Sequence, residues 1–391
     1  MKILHTSDWH LGKKLYRYNR IEEQREFLKW LLCEIEDRSI DILIIAGDIF
    51  DVPSPSNEAH KLYNDFLSSC SQVCHSIIII SGNHDSGDFL KATESFTHEK
   101  NIYVYDKIHE KKEHNYLQIT KDNQTIELAL LPYFRNIDLY NYHSHEIGGD
   151  KENPNWRIEA IEHLLDCSSK HVKFVVSHHA FGNYSATGSE HTLSLSGIEQ
   201  LSLKLFKNFD YAALGHIHQY QKLSESPYTY YTGSPLPMRF SESKNKAYNL
   251  IEVEKNEIKE IKRISIPSFR ELVQIKTNSK TYIEDIREQL KDINSPLTPY
   301  IEVKIRMEES LSGMAQTIKG LCEEYKCELL NIIPILAFQE NDEESIVEID
   351  KLSPLELLQI YYQEKYPEKE LNTQLKNKFN ELLSEIKNED S

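Results

Sequence analysis

The chain reads as an α/β layer protein with a small α+β domain and a helical tail behind it. Three observations predict this. Nearly continuous apolar, strand-like runs alternate with helical segments as far as about residue 265, the pattern of a sheet covered on both faces. Past Ser265 the texture shifts to alternating strands and short helices. At 391 residues the chain exceeds one ordinary core, so two or three domains follow.

Taken in order, KILHT (2–6) is a strand. The stretch Arg20 to Arg38 carries Ile21, Leu28, Leu31, Leu32 and Ile35 at the spacing of one helix face. IDILIIA (40–46) is a buried strand, and Leu62, Phe66, Cys70 and Val73 mark a second amphipathic helix before SIIII (76–80). IELALLP (126–132), VKFVVS (172–177) and YAAL (211–214) are further strands. The next region, 266–340, holds LVQIKT (272–277), a helix over 281–293, YIEVKIRM (300–307), a helix over 310–326 and LLNIIPILAF (329–338). An acidic linker (341–354) leads to a tail, 355–391, with helical periodicity up to Ile386 and Pro367 within it.

Composition narrows the class. Hydrophobic residues at 39% and charged residues at 27% describe a globular protein, and no apolar run is long enough to span a bilayer. Asp8 and His10 stand where a signal peptide would keep its apolar region, so a cytoplasmic location is expected, with no membrane. Six scattered cysteines without a C-x-x-C pair suit reduced thiols. The net charge of −17 argues at first against nucleic acid. However, Gln339 to Ser391 holds 14 acidic and 6 basic residues, while Leu11 to Ile21 holds Lys13, Lys14, Arg17 and Arg20 with no acid. DNA is not excluded.

The chemistry lies where the strands end. IIIISGNHD (77–85) could close in an ordinary Gly-Asn turn. Its polar cluster is one of five, though, each after a predicted strand: Ser7-Asp8-Trp9-His10, Gly47-Asp48-Ile49-Phe50-Asp51, Gly82-Asn83-His84-Asp85, Ser177-His178-His179 and Gly215-His216-Ile217-His218. In open α/β sheets, ligands bind beyond the carboxyl ends of the strands. Imidazole, carboxylate and amide oxygen without thiolate suit Mn²⁺, Fe²⁺ or Zn²⁺ better than calcium or a structural zinc site. The donors are too many for one ion, so two ions bridged by Asp48 are expected. A lone histidine is more often simply hydrogen-bonded, and His5, His75, His109, His143, His171 and His191 are read that way.

Together D-x-H, G-D-x-F-D, G-N-H-D, an apolar strand ending in His, and G-H-x-H resemble the calcineurin-like metallophosphoesterase superfamily. TSDWHLGKKL, AGDIFD, SGNHDS, ALGHIH and above all TGSPLPMRFSE (232–242) are similar to the versions in its SbcD-type nuclease branch. The last is not a metal motif and so is the better marker of the branch. The resemblance is close over 1–265 and rests on layout beyond. It implies a four-layer sheet sandwich flanked by helices, with a capping domain (266–340) and a helical tail (355–391) behind it; the apolar helical face of the tail is read as a docking element for an ATPase partner, with an ordinary core-packing helix as the alternative.

Carried over by position, the family pattern makes Asp8, His10, Asp48 and His218 ligands of one ion, and Asp48, Asn83, His178 and His216 ligands of the other. His84 would contact the scissile phosphate and assist the leaving oxygen. His178 is preferred to His179 as ligand because small Ser177 precedes it, as in the family, and because neighbouring strand residues face opposite ways. His179, Asp51 and Asp85 are expected to support the ligands. Lys13, Lys14, Arg17 and Arg20 are expected on DNA phosphates. The resemblance further implies a homodimer working with an SbcC-like SMC-type ATPase. It implies manganese-dependent 3′→5′ exonuclease action on duplex ends and endonuclease action on single strands or hairpins. A phosphoesterase of small esters or phosphoproteins, or a non-catalytic holder of DNA ends, stays open.

Overall fold

The computed structural model describes residues 1–91, 101–148, 153–189, 200–307 and 313–336, with isolated positions between 355 and 379. It comprises two compact units, Met1–Arg270 and Glu271–Ser391.

The first unit begins with β1 (Lys2–Thr6), a small hairpin of β2 (Lys14–Leu15) and β3 (Tyr18–Asn19), and α1 (Ile21–Arg38). Then come β4 (Ile42–Ala46), α2 (Asn57–Val73), β5 (Ser76–Ile80), α3 (Gly87–Lys91) and β6 (Ile102–Tyr105). The chain continues through β7 (Tyr116–Lys121), β8 (Gln124–Leu131), α4 (Asn136–Glu146), α5 (Trp156–Leu164), β9 (Val172–His178) and β10 (Tyr211–Gly215). It closes with β11 (Gln221–Glu225), β12 (Tyr228–Tyr231), β13 (Ala247–Glu254) and β14 (Glu257–Ser265).

These strands form two six-stranded sheets, ordered β14-β13-β1-β4-β5-β6 and β11-β12-β10-β9-β8-β7. Alternation along β4 explains how they stack. Leu43 and Ile45 belong to an apolar cluster with Phe27, Leu31 and Ile35 of α1 and Tyr63 and Leu67 of α2. Ile42, Ile44 and Ala46 point the other way, into a cluster with Leu128, Leu130, Phe174, Val176 and Ala213 of the second sheet. The outer face of that sheet, with Ala129, Val175 and Ala212, packs on Leu139, Ala160 and Leu164 of α4 and α5. The layers therefore run helix, sheet, sheet, helix. This is the four-layer sandwich that the resemblance implies; the single sheet covered by helices on both faces, read from the strand pattern alone, needs correction, since each sheet has helices on one side and the other sheet on the second. A strand buried on both faces is apolar throughout in either case.

The helices start and stop as local chemistry dictates. Glu22 and Glu23 lie at the positive end of α1, and Ser39 ends that helix in the left-handed conformation. Ser56 caps α2 by accepting a hydrogen bond from Ala59 N at 3.2 Å.

In the second unit β15 (Arg270–Asn278), β16 (Leu297–Met307) and β17 (Glu328–Leu336) form one sheet in that order, with α6 (Tyr282–Leu290) and α7 (Met314–Glu324). Ile275, Ile286, Leu290, Ile301, Val303, Ile305 and Ile318 make its core. The expected acidic linker and most of the expected helical tail lie outside the described residues. Among the described residues, no helix is long and apolar enough to cross a membrane.

Candidate metal centre

Both sheets deliver polar residues to one place because the strands involved run parallel. β1 pairs with β4 and β4 with β5 in one sheet, and β9 pairs with β10 in the other, with His178 opposite Gly215. The loops beyond β1 and β4 stay laddered: Asp8 N donates to Gly47 O at 2.9 Å, and His10 N to Asp48 O at 3.0 Å.

The backbone there is unusual. Asp8, His10, Asp48 and His216 all have positive φ, at 55°, 46°, 51° and 98°. Such conformations cost on the order of 1–3 kcal/mol each and persist where the surroundings enforce them, commonly at functional sites. Glycines make the close approach possible. A Cβ at Gly47 would lie 2.2 Å from His178 Nδ1, and one at Gly82 would lie 2.1 Å from Asp48 Oδ1.

Asp8, His10, Asp48 and His218 are buried and each offers a ligand atom within 4.8 Å of the others. His10 Nε2 is 3.1 Å from His218 Nε2 and 3.6 Å from Asp48 Oδ2. Asp48 also faces His178, whose Nε2 is 3.3 Å from Oδ2 yet makes no hydrogen bond. His178 Nδ1 donates to Ala46 O at 2.7 Å, which fixes the ring. His216 holds Asn83, with Nδ1 3.1 Å from Oδ1, and its backbone N–H donates to Asp8 Oδ1 at 2.9 Å. The seven sequence-predicted ligands thus form one connected group around Asp48.

The electrostatics describe a site built for cations. Burial alone would raise Asp48, but the facing His178, together with His10 and His84, outweighs it and holds the carboxyl well below its usual range. Burial would depress His178, but Asp48 overrides it and lifts the imidazole to about 9. Burial, helped by Asp48, raises Asp8 to about 7. Burial lowers His10 and His218, leaving them neutral with lone pairs to offer. Two carboxylates converging with the neutral imidazoles of His10 and His218 fit one or more divalent ions.

The supporting residues divide by element. Asp85 accepts from the backbone N–H groups of Ile49, Phe50 and Gly82 at 3.2, 2.9 and 2.8 Å, locking the loop after β4 to the loop after β5. Asp51 takes Lys13 Nζ at 2.7 Å and lies 3.5 Å from His10 Nδ1. His84 donates its backbone N–H to Asp48 Oδ1 at 3.0 Å, and its Nδ1 donates to Asp51 O at 2.7 Å. His179 turns away: its ring stacks on Tyr133 and accepts from Phe134 N at 3.2 Å.

The four bases separate. Lys14 and Arg17 are exposed, whereas Lys13 is engaged with Asp51. Arg20 corrects the expectation of a DNA contact. It is buried, holds Glu23 through both carboxylate oxygens at 2.9 and 2.8 Å, and donates to Pro237 O at 2.6 Å. Its guanidinium is a structural tie that no phosphate reaches.

Of the histidines read as ordinary, His5 bonds Tyr211 and His75 bonds Ser76. His143 departs from that reading, since neither ring nitrogen has a hydrogen-bond partner. His191 lies outside the described residues. Sequence reasoning missed Ser189, Glu242 and Lys246, which back His218. The signal was present in TGSPLPMRFSE, a conspicuous segment with no assigned task.

Comparison with known proteins agrees with this geometry. Residues 1–220 match the family model described as calcineurin-like phosphoesterase. Residues 268–366 match the model described as type 5 capsule protein repressor C-terminal domain, the C-terminal domain of SbcD proteins. The chain is 28% identical over 342 residues to the SbcD subunit of the SbcCD nuclease of Escherichia coli (strain K12), covering 84% of each. It is 27% identical over 400 residues to the corresponding SbcCD nuclease subunit of Bacillus subtilis (strain 168), covering all of both. With the Staphylococcus epidermidis protein of that name it is 26% identical over 373 residues, 93% of this chain and 92% of the other. The chain belongs to the calcineurin-like phosphoesterase family, and within it to the SbcD group.

Proposed function

We propose that this chain is a metal-dependent nuclease of the SbcCD type that hydrolyses DNA phosphodiesters at a two-metal centre. The observation that carries the reading is the burial of Asp8, His10, Asp48 and His218 within 4.8 Å of one another, with Asn83, His178 and His216 alongside. Asp8, His10, Asp48 and His218 would hold one ion, and Asp48, Asn83, His178 and His216 the other, with manganese the preferred metal. Two divalent ions there would offset the charge of the phosphodiester and make hydroxide available near neutrality, lowering the pKa of a water to about 7.

The chain's own residues do the rest. The Asp51 carbonyl can only accept, so His84 Nδ1 carries hydrogen; with the ring in its imidazolium form, Nε2–H would pass its proton to the departing sugar oxygen and leave the neutral Nδ1–H imidazole. General acid catalysis of this kind contributes roughly 10²–10⁴-fold. Asp51 steadies His10 and Lys13, while Asp85 keeps Asp48 and Asn83 in register. Lys14 and Arg17, both exposed, are the bases that would meet DNA phosphates.

The names of the relatives, each one subunit of an SbcCD nuclease, support the partner in this reading. The partner is an SbcC-like SMC-type ATPase, held by the C-terminal tail, and the chain works as a homodimer in the cytoplasm. Its actions are 3′→5′ exonucleolysis on duplex ends and endonucleolysis on single strands or hairpins. The test is incubation with Mn²⁺ and duplex DNA labelled at either end, beside a chromogenic phosphodiester and the Asp48→Ala variant. DNA turnover by the native chain, lost in the variant, is the expected result. Turnover of the small ester alone would remove DNA as substrate. DNA-end binding without any turnover would make the chain a scaffold.

A further inference from the structure

We infer that Ser189 and Glu242 are positioning residues that fix the tautomer and orientation of His218, so that its Nε2 lone pair faces the metal centre. This rests on the reading of His218 as a metal ligand.

The hydrogens can be traced through a run of linked polar groups behind His218. Glu242 is paired with Lys246, Nζ to Oε2 at 2.9 Å, and both side chains are almost wholly inside the protein. Its other oxygen, Oε1, lies 2.6 Å from Ser189 Oγ. A carboxylate can only accept, and at 2.6 Å the Ser189 proton lies toward Glu242, while Thr187 Oγ1, 2.7 Å from Ser189 Oγ and 3.4 Å from Glu242 Oε1, is left to donate to that pair. Ser189 Oγ is also 2.6 Å from His218 Nδ1. With its one proton committed, the hydroxyl can only accept there, and Nδ1 must carry the hydrogen. A neutral imidazole protonated at Nδ1 has its lone pair at Nε2, the atom 3.1 Å from His10 Nε2 in the ligand group.

The same segment holds the backbone of His218. Lys246 Nζ donates to His218 O at 3.2 Å and to Ser234 Oγ at 2.9 Å, and Ser234 N donates to His218 O at 3.2 Å. A Cβ at Gly233 would lie 2.5 Å from that carbonyl. Met238 N donates to Glu242 Oε2 at 3.0 Å, which ties the segment to its own glutamate. The stretch TGSPLPMRFSE is therefore a cradle for one histidine. A partner that fixes the second nitrogen of a metal-binding imidazole typically accounts for about 10–100-fold in metal affinity.

The test uses the full-length chain and Ser189→Ala, Ser189→Thr, Glu242→Gln and His218→Ala. Nitrogen NMR of the metal-free protein, labelled at histidine and assigned with His218→Ala, reads the tautomer. Manganese titration followed by electron paramagnetic resonance reads the dissociation constant. The native His218 is expected in the Nδ1–H form. Ser189→Ala and Glu242→Gln should mix the tautomers and weaken manganese about 10–100-fold, and Ser189→Thr should restore both. A native tautomer and native affinity in Ser189→Ala would overturn the relay alone. Unchanged manganese binding in His218→Ala would overturn the ligand reading beneath it.

Discussion

Adding one methyl group at Gly215 should disable the site from behind. Gly215 ends β10 in one sheet, and Ala46 ends β4 in the other. A Cβ at Gly215 would lie 1.9 Å from Ala46 O and 2.7 Å from His178 Nδ1, whereas real Cβ atoms essentially never approach closer than 3.0 Å. The carbonyl must therefore retreat by about 1 Å, and it is the group that fixes the His178 ring. Overpacking of this kind costs about 1–3 kcal/mol, and each kcal/mol lowers Tm by about 2–4 °C in a domain of this size. Misplacement of a catalytic group by about 1 Å costs about 10²-fold in rate. Gly215→Ala is thus expected to melt earlier, bind manganese more weakly and lose about two orders of magnitude in DNA turnover. Gly320→Ala is the control: that glycine is exposed on α7 with nothing within 4 Å of its missing Cβ. It should be neutral or gain about 0.4–1 kcal/mol. Thermal unfolding with and without Mn²⁺ decides the matter. A Gly215→Ala protein with native Tm and native metal affinity would refute the packing argument.

Other expectations follow from the same geometry. His84→Gln should lose roughly 10²–10⁴-fold in turnover while binding manganese as the native chain does; a matching loss of metal would make His84 a ligand instead. Arg20→Ala strips buried Glu23 of its two short hydrogen bonds, leaves it Arg270 with Nε 3.7 Å from Oε2, and should cost up to about 3–5 kcal/mol in unfolding experiments. Lys14→Ala and Arg17→Ala should leave stability alone and each reduce the salt slope of DNA binding by about 1; salt slopes that ignore both changes would move the DNA elsewhere. Acid should weaken metal binding. Below a pKa of about 7 for Asp8 and about 9 for His178, the metal-free protein holds protons that ligation must release. Calorimetry in buffers of different ionisation enthalpy near neutrality should record net proton release, and none would contradict the assigned ligands.

Strands and site were legible for one physical reason. Doubly buried strands such as IDILIIA and SIIII are apolar throughout, so the polar residues at their ends stand out. The same uniformity hid which face meets a sheet and which meets helices. Ile44 and Ile45 are alike in sequence, yet one packs between the sheets and the other under α1 and α2. Edge strands were harder to see. β11 and β14 are half-exposed and rich in lysine and glutamate, so their alternation was weak. Arg20 misled because charge is visible in a sequence and burial is not; Glu23, three residues on, was the clue. The relay behind His218 needed Ser189 to meet the i,i+4 pair Glu242 and Lys246 from 53 residues away, and no local spacing predicts that meeting.

The proposed function puts Asp48 between two cations. It is tested most directly by loading the purified chain with Mn²⁺ and recording metal stoichiometry with the electron paramagnetic resonance spectrum, beside Asp48→Asn. Two manganese ions per chain with an exchange-coupled spectrum, uncoupled and depleted in the variant, is the predicted result. One ion per chain, or two that remain uncoupled in the native protein, would contradict it.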